Sequence, residues 1–333
     1  MDYPYHPSPS RRQVLEVLGG AGLAAGLAGC NWLDDAPVTV AAHVWVGYQS
    51  MFLARDHGWL KPDKVTLLET RSAVESLQAV QAGKAHAAAV TLDEMLTARA
   101  TGQPLTAVLV FNTSMGADML LAEAGMTALA QLKGQRIALE DSSVANILLA
   151  EILREAGLKQ SDVHLIRTPV DEHPNVWHKH AADAFITYEP VASQLLARGL
   201  LRLFDSRQIP DTIVDVLAFH RDALDNSHGE AVRHLLLAHF RALDSLVRSP
   251  QDAAYRLSSR LALPAPDVLK AFKGLVLPSL MLNYRLLSGD NAQLLSTARR
   301  VAEILGGGKS VVEMNNPQEL VTSAYLPTEG LFK

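Results

Sequence analysis

The chain has 333 residues, 48% of them apolar and 20% charged, and a formal charge of −5. This is the composition of a globular protein with ample core, and a mildly acidic chain without basic runs argues against nucleic acid as a partner. Its one cysteine, Cys30, leaves no disulfide, thiol nucleophile or cysteine-held metal in the body of the chain, which suits an oxidising export compartment.

Taken in order, residues 1–29 have the layout of an export signal: Arg11-Arg12, an apolar Gly/Ala-rich segment, then small residues before Cys30. The Arg-Arg pair after Ser10 resembles a twin-arginine signal, with Glu16 unusual at its position, and Leu27-Ala28-Gly29-Cys30 resembles a lipobox whose Cys30 is lipidated. An anchor helix is the competing reading, but Val17–Gly29 is short against the roughly 20 apolar residues a span needs. Residues 30–37 then form a tether, and no later run is long and apolar enough to cross a membrane.

From Val38 the pattern predicts short strands alternating with helices. Strands are expected at Val38–Trp45, Lys64–Glu69, His86–Val90 and Leu105–Phe111, with helices at Met51–His57, Ala73–Gln81 and Leu92–Ala100. The pattern restarts near residue 115. Strands follow at Asp118–Ala122, Gln135–Leu139, Val163–Ile166, Ala184–Thr187 and Ile213–Phe219, with helices at Val144–Ala156 and Pro190–Ala197 and a short segment at His173–His180. Beyond Arg221 the chain reads as nearly all helical: Gly229–Val247, Gln251–Leu261, Pro266–Lys273 and Asn291–Leu305, then a loop-rich tail with Gly306-Gly307-Gly308. The expected fold is α/β with two lobes: 38–111 and 216–333 forming lobe one, 112–215 lobe two, and the C-terminal helices packed on lobe one.

Ligands of open α/β sheets bind beyond the carboxyl ends of the strands. Polar and aromatic residues collect there: Trp45 and Tyr48 after the first strand, Arg71 and Ser72 after the second, Thr91 and Asp93 after the third. Asn112, Ser114 and Asp118 end the first crossover, Glu140, Ser142 and Ser143 precede a helix, Tyr188 and Glu189 follow a strand, and Asp215 interrupts an apolar one. Each has a plainer reading as well. Ser142 is a ready N-cap, Trp45 and Tyr48 are candidate core aromatics, Asp215 a hinge hydrogen-bond partner, and Glu189 a helix-dipole residue. His173, His178 and His180 have weak zinc-like spacing without a clear fourth ligand, so no metal is expected. No phosphate loop, dinucleotide fingerprint or nucleophile elbow occurs, so neither a cofactor nor a catalytic residue is expected.

Five stretches carry a family pattern: Trp45–Arg55 ending in Gly58-Trp59-Leu60, Leu77–Ala88, Ser114–Asp118, Leu132–Ala138, and Thr187-Tyr188-Glu189-Pro190. In this order and spacing they resemble the solute-binding proteins of nitrate, sulfonate, taurine and thiamine-precursor ABC importers. The resemblance covers most of residues 38–220. It implies a type II periplasmic-binding fold with a two-stranded hinge, a small-molecule solute in the cleft between the lobes, and an ABC permease and its ATPase as partners. With the lipobox, the expectation is a monomer anchored through Cys30 at the periplasmic or extracytoplasmic face of a membrane. Trp45, Tyr48 and Tyr188 would then wall in the solute, Asp93, Asp118, Glu189 and Asp215 would hold donors or a cation, and Ser72, Ser114, Ser142 and Ser143 would supply further polar contacts. Carboxylates outnumber Arg71 in this set, which favours a nitrogen-bearing solute such as an aminosulfonate, an amine or a pyrimidine. The pattern departs at His178–Asp183, where the family has glycine and an acidic residue before its Asp-Ala strand. Alternatives are a sensor that presents its ligand to a membrane receptor, and a pyrimidine-synthase-like enzyme, whose cysteine-rich motif this chain lacks.

Overall fold

The computed structural model describes residues 36–224, 227–290, 292–305 and 317–328. The export signal, Cys30, the tether to residue 35 and the Gly306–Gly308 turn lie outside the described residues.

In chain order the elements are β1 (Val38–Ala42), α1 (Gln49–Asp56), β2 (Val65–Glu69), α2 (Ala73–Gln81), β3 (Ala87–Thr91), α3 (Leu92–Ala100) and β4 (Leu105–Ser114). There follow β5 (Asp118–Ala122), β6 (Arg136–Leu139), α4 (Ser143–Ala156), β7 (His164–Arg167), α5 (His173–His178), β8 (Ala184–Tyr188), α6 (Val191–Leu196) and β9 (Leu201–Asp205). The last part comprises β10 (Val214–His220), α7 (Gly229–Arg248), α8 (Pro250–Leu261), α9 (Ala265–Phe272), β11 (Leu275–Val276), α10 (Leu280–Leu287), α11 (Gln293–Ile304) and α12 (Pro317–Leu320).

The strands form two sheets, ordered β11-β4-β10-β3-β1-β2 and β7-β6-β8-β5-β9. Of the parallel strands, the inner β1 and β3 are covered on both faces and accordingly read as apolar runs, with Ala87 to Val90 fully buried, while β2 at the sheet edge is partly exposed. The second sheet is likewise covered twice. Leu120, Ile137 and Ile186 face one apolar core, while Met119, Leu121 and Phe185 face the other, the alternation that a strand's two-residue period requires.

The lobes are joined by β4, which leaves the first sheet, and by the return of the chain through β10, paired antiparallel to it. A knot of hydroxyls ties this crossing. Ser206 Oγ lies 2.8 Å from Ser114 Oγ and accepts the Gly116 N–H at 2.6 Å. The C-terminal helices share one continuous core with the first sheet, including Leu235, Leu236, Leu257, Leu294 and Val301. Asn283 of α10 fastens this region further: buried, it accepts the Val110 N–H at 2.8 Å and donates to the Val110 carbonyl at 3.2 Å.

Three elements differ from the sequence expectation. β9 is an added edge strand on β5, and its Arg202 and Asp205 break the apolar alternation that would reveal it. α10 is only eight residues long, capped by Ser279, and β11 has two residues. The His173–His180 segment contains a short helix. At its end His180 takes a left-handed φ of 49°, close to where the family pattern has glycine.

Candidate functional site

The cleft between the lobes is built from the strand ends of both sheets. From lobe one it takes His43, Trp45, Tyr48, Thr91, Glu94 and Asp215; Asp118, Glu140, Val144 and Tyr188 face them from lobe two.

A chain of hydrogen bonds fixes the lobe-one wall. Trp45 Nε1 donates to Asn112 Oδ1 at 3.1 Å, Asn112 Nδ2 donates to Asp215 Oδ2 at 2.6 Å, and the Tyr48 hydroxyl donates to Asp215 Oδ1 at 2.5 Å. Asp215 can serve both because its register on β10 places it opposite Thr91 on one side and Asn112 on the other. Gly47 makes the arrangement possible: a Cβ there would stand 1.7 Å from Asn112 Oδ1 and 2.6 Å from Trp45 Nε1. The chain continues outward through Gln49, which donates to the Trp45 carbonyl at 2.9 Å and accepts from Arg260 Nε at 3.1 Å.

The floor is acidic. Asp93 and Glu94 open α3, where the free N–H groups and helix dipole favour carboxylates. Glu94 accepts the Thr91 N–H at 2.9 Å in a capping box. Burial pushes Asp93 upward, and burial with the charges of Asp93 and Glu140 holds Glu94 well above the ordinary carboxylate range. Asp118 is pushed up to about 7, first by burial and then by Asp93 and Glu189, against an opposing hydrogen bond from Ser114. Glu140 is also pushed up to about 7, by burial and the charge of Asp171. Asp215 is held well above its usual range, because its burial outweighs the hydrogen bonds from Tyr48 and Asn112. His43 moves the other way, down to about 4, through burial and the charge of Arg260. At neutral pH it is therefore a neutral ring and offers the acids no counter-charge.

No lysine or arginine lines this cleft among the described residues. Of its acids, Asp118 Oδ2 and Glu140 Oε1 are buried without hydrogen-bond partners, as are Asp93 Oδ1 at the seam and His43 Nδ1. Such atoms are costly unless something pairs with them. Aromatic edges close the space. Tyr188 meets Trp45 edge-on with ring centroids 5.5 Å apart, and His43 meets Tyr48 edge-on at 5.3 Å. The lobes touch across the cleft, with Ser143 Oγ donating to Asp93 Oδ2 and Arg71 Nη2 pairing with Asp171 at 3.0 Å on the rim. About 20 Å³ of free space is left, room for about one water. Anything larger enters only when the lobes part.

Of the residues singled out from the sequence, Trp45, Tyr48, Asp118, Tyr188 and Asp215 line the cleft, and Asp93 and Ser143 meet at its seam. Ser142 caps α4 by accepting the Ala145 N–H at 3.3 Å and borders an adjoining recess beside Asp118 and Tyr188. Three fall elsewhere. Ser72 is occupied as the N-cap of α2, accepting the Glu75 N–H at 3.2 Å. Ser114 belongs to the hydroxyl knot at the crossing. Glu189 points away, its carboxylate accepting the Ser193 N–H at 3.0 Å and the Ser193 hydroxyl at 2.9 Å, and it borders a separate and larger groove. His173 is buried against Phe185, whereas His178 and His180 are exposed, and no group of three potential metal ligands occurs among the described residues. His43 and Glu94 were missed. His43 was hidden inside an apolar strand, but Glu94 had a readable signal in the Thr91-x-x-Glu94 capping box.

A family model described as NMT1/THI5 like matches residues 46–253. A protein of Escherichia coli (strain K12) named for binding aliphatic sulfonates is 28% identical over 257 residues, which cover 73% of this chain and 79% of that one. Among solved structures, the alkanesulfonate-binding protein SsuA from Xanthomonas axonopodis pv. citri, bound to MOPS, superposes with a TM-score of 0.70 at 20% identity, covering 88% of this chain and 98% of that one. The periplasmic nitrate-binding protein NrtA from Synechocystis PCC 6803 gives 0.66 at 12% identity, covering 88% and 91%. The two sheets, the double crossing and the cleft between them are thus the periplasmic-binding-protein fold, and the chain belongs to the NMT1/THI5-like family.

Proposed function

We propose that this protein is the extracytoplasmic solute-binding component of an ABC importer, and that its cleft captures a small nitrogen-bearing solute: an amine, an aminosulfonate or a thiamine-precursor-like pyrimidine. The observation that carries this reading is the set of buried carboxylates, with an unpaired oxygen on Asp118 and Glu140 in the lining and on Asp93 at the seam, in a cleft that no lysine or arginine lines among the described residues. A protonated amine or an aminopyrimidine edge supplies the missing donors, and the faces of Trp45, Tyr48 and Tyr188 suit a flat or cationic group. A simple alkanesulfonate or nitrate would instead bring a further negative charge to this floor, which separates this chain from what its relatives' names suggest.

The action is binding and closure, without covalent chemistry. Solute enters between the parted lobes and pairs with the acids, and its differential affinity for the closed form shifts the population toward closure. The moving units are the lobe of the second sheet against the lobe of the first, with Asn112 and Asp215 staying in the first through the pairing of β4 and β10. The closed form then presents both lobes to the permease, and the exported, monomeric chain stays near it through lipidated Cys30.

The test is a thermal-shift screen, followed by calorimetry, of amines, aminosulfonates, pyrimidines, alkanesulfonates and nitrate on protein lacking residues 1–30. A true solute at about 100 times its Kd adds roughly 2.7 kcal/mol of stability. Asp118→Asn should remove that gain without altering the unliganded melting curve by a comparable amount. Binding of nitrate or a plain alkanesulfonate, with no response to any nitrogen base, would overturn the reading.

A further inference from the structure

A second opening between the lobes has the opposite character. It measures about 400 Å³, within the size range of small-molecule sites. Lobe one contributes Asp267, Lys270 and Lys273 from α9 and the turn after it, and lobe two contributes Glu189, Arg202 and Arg207.

The acids here are already engaged. Asp267 accepts from Lys270 Nζ at 2.7 Å, and Glu189 is held by Ser193. Asp205, buried behind the groove, is shared by two guanidiniums: Arg207 Nε and Nη2 at 2.9 and 2.6 Å, and Arg202 Nε at 3.2 Å. Counting Asp205 behind it, the groove sets four basic side chains against three carboxylates, a formal excess of one positive charge. Lys273 is exposed, and its ammonium makes no ion pair among the described residues. Donors that remain available therefore face one another across the lobe boundary, from Lys273 on one side and from Arg202 and Arg207 on the other. The backbone fixes this approach, since Met115 N–H donates to the Gly274 carbonyl at 2.7 Å and a Cβ on Gly274 would stand 2.8 Å from Ala117 N.

We propose that this groove is a second ligand site, which takes a small oxyanion (a sulfonate, phosphate or carboxylate) bridging Lys270 and Lys273 of lobe one to Arg202 and Arg207 of lobe two. The site shares no lining residue with the acidic cleft. Because its two halves belong to different lobes, a bound oxyanion favours the closed form, and by linkage it and the cleft solute strengthen each other's binding.

The experiment titrates inorganic phosphate and sulfate into the exported domain by calorimetry, with ionic strength held constant by chloride. Saturable binding is expected. Lys273→Glu in lobe one and Arg202→Gln in lobe two should each weaken it at least tenfold, while Asp118→Asn in the cleft should change it less than twofold. Small-angle scattering should show a smaller radius of gyration at saturating sulfate than in chloride. An isotherm indifferent to both groove substitutions means an adventitious ion only, and ends the proposal. Sensitivity to one lobe's substitution alone, or an unchanged radius of gyration, overturns the bridging role. If an acidic peptide binds the groove while both small anions fail, the surface is a protein-docking one and the proposal is wrong. Melting curves of each variant separate these outcomes from loss of fold.

Discussion

The two openings between the lobes sit a few residues apart along the same strands yet differ in every electrostatic respect. Asp118 of β5 faces the cleft, while its neighbour Met119 lines the groove; Tyr188 of β8 faces the cleft, while Glu189 next to it borders the groove. The cleft is narrow, aromatic and acidic, and its carboxylates are buried. The groove is wider, and its basic side chains outnumber its acids. The difference teaches how a charge is to be read here. A buried acid changes its own protonation to survive, so it responds to pH and to a cation. An exposed lysine keeps its charge and responds chiefly to salt.

The largest effects should come from breaking the cleft's hydrogen-bond wall. Asp215→Ala would strand the Tyr48 hydroxyl and the Asn112 amide in a dry site, and an unsatisfied buried donor costs about 1–3 kcal/mol. A loss of roughly 2–5 kcal/mol is expected from urea midpoints, together with loss of solute binding. Gly47→Ala attacks the same wall sterically. Its methyl would displace the Asn112 side chain, at an expected cost of about 1–3 kcal/mol. Neither change should disturb oxyanion binding in the groove; a matching loss there would show the two sites to be one.

A change of pH should divide the sites next. Asp118 and Glu140 are both raised to about 7 in the folded protein, from ordinary values near 3.8 and 4.5. The folded, closed form thus holds more protons than the unfolded chain between about pH 4 and 7. The stability these two acids contribute without ligand should be fully present below pH 4 and fall as pH rises toward 7. The buried histidines His43, His173 and His239 oppose it, since their lowered values make their contribution fall as pH drops below about 6.5. A permanently charged cation has the opposite dependence. It binds the ionised acids, so its affinity should rise about tenfold or more from pH 5 to 7, with protons released into the buffer. His43, lowered to about 4, stays neutral in the folded protein across that window and leaves the cation affinity alone. The unfolded chain protonates it below about pH 6.5, so it opposes the acids in the stability profile. Oxyanion affinity of the groove should stay nearly flat over the same range once the changing protonation of phosphate is avoided by using sulfate. Calorimetry in buffers of differing ionisation enthalpy measures both. A cation affinity flat from pH 5 to 7 would mean that Asp118 and Glu140 do not face the solute.

Much of this contrast was written in the chain, and the part that was not has a physical cause. The parallel strands, the helices Ala73–Gln81 and Leu92–Ala100, and the restart at Asp118 follow from apolar period and turn residues, which are local signals. Trp45, Tyr48, Asp118, Tyr188 and Asp215 could be placed because strand ends in such sheets converge. Ser72 and Glu189 could not, because each is satisfied by a partner three or four residues away, and a helix start offers the same residues to a cap as to a ligand. The groove was illegible for another reason. Arg202 and Arg207 lie around an edge strand that its own charges disguise, and they meet Lys273 only through the folding of α9 against the second lobe.

The smallest expected effect belongs to Arg71, a basic residue on the cleft's rim. Arg71 reaches across the seam to Asp171 at 3.0 Å and toward Glu172 at 3.7 Å, and these partners hold its guanidinium firmly protonated. Its side chain is 62% exposed, so water and salt screen the pair. The bond exists only when the lobes are shut, so its whole effect falls on the closed population and none on the contacts inside. Arg71→Ala should therefore weaken apparent solute affinity by a few-fold at low salt and by less at 0.5 M, leaving its pH dependence unchanged. Stopped-flow kinetics should place the change in the dissociation rate, since the clasp opens before solute leaves. A loss of more than tenfold, or a shifted pH profile, would mean that Arg71 swings inward as a counter-ion for the acids, and the cleft would then have to be read as suited to an anion after all.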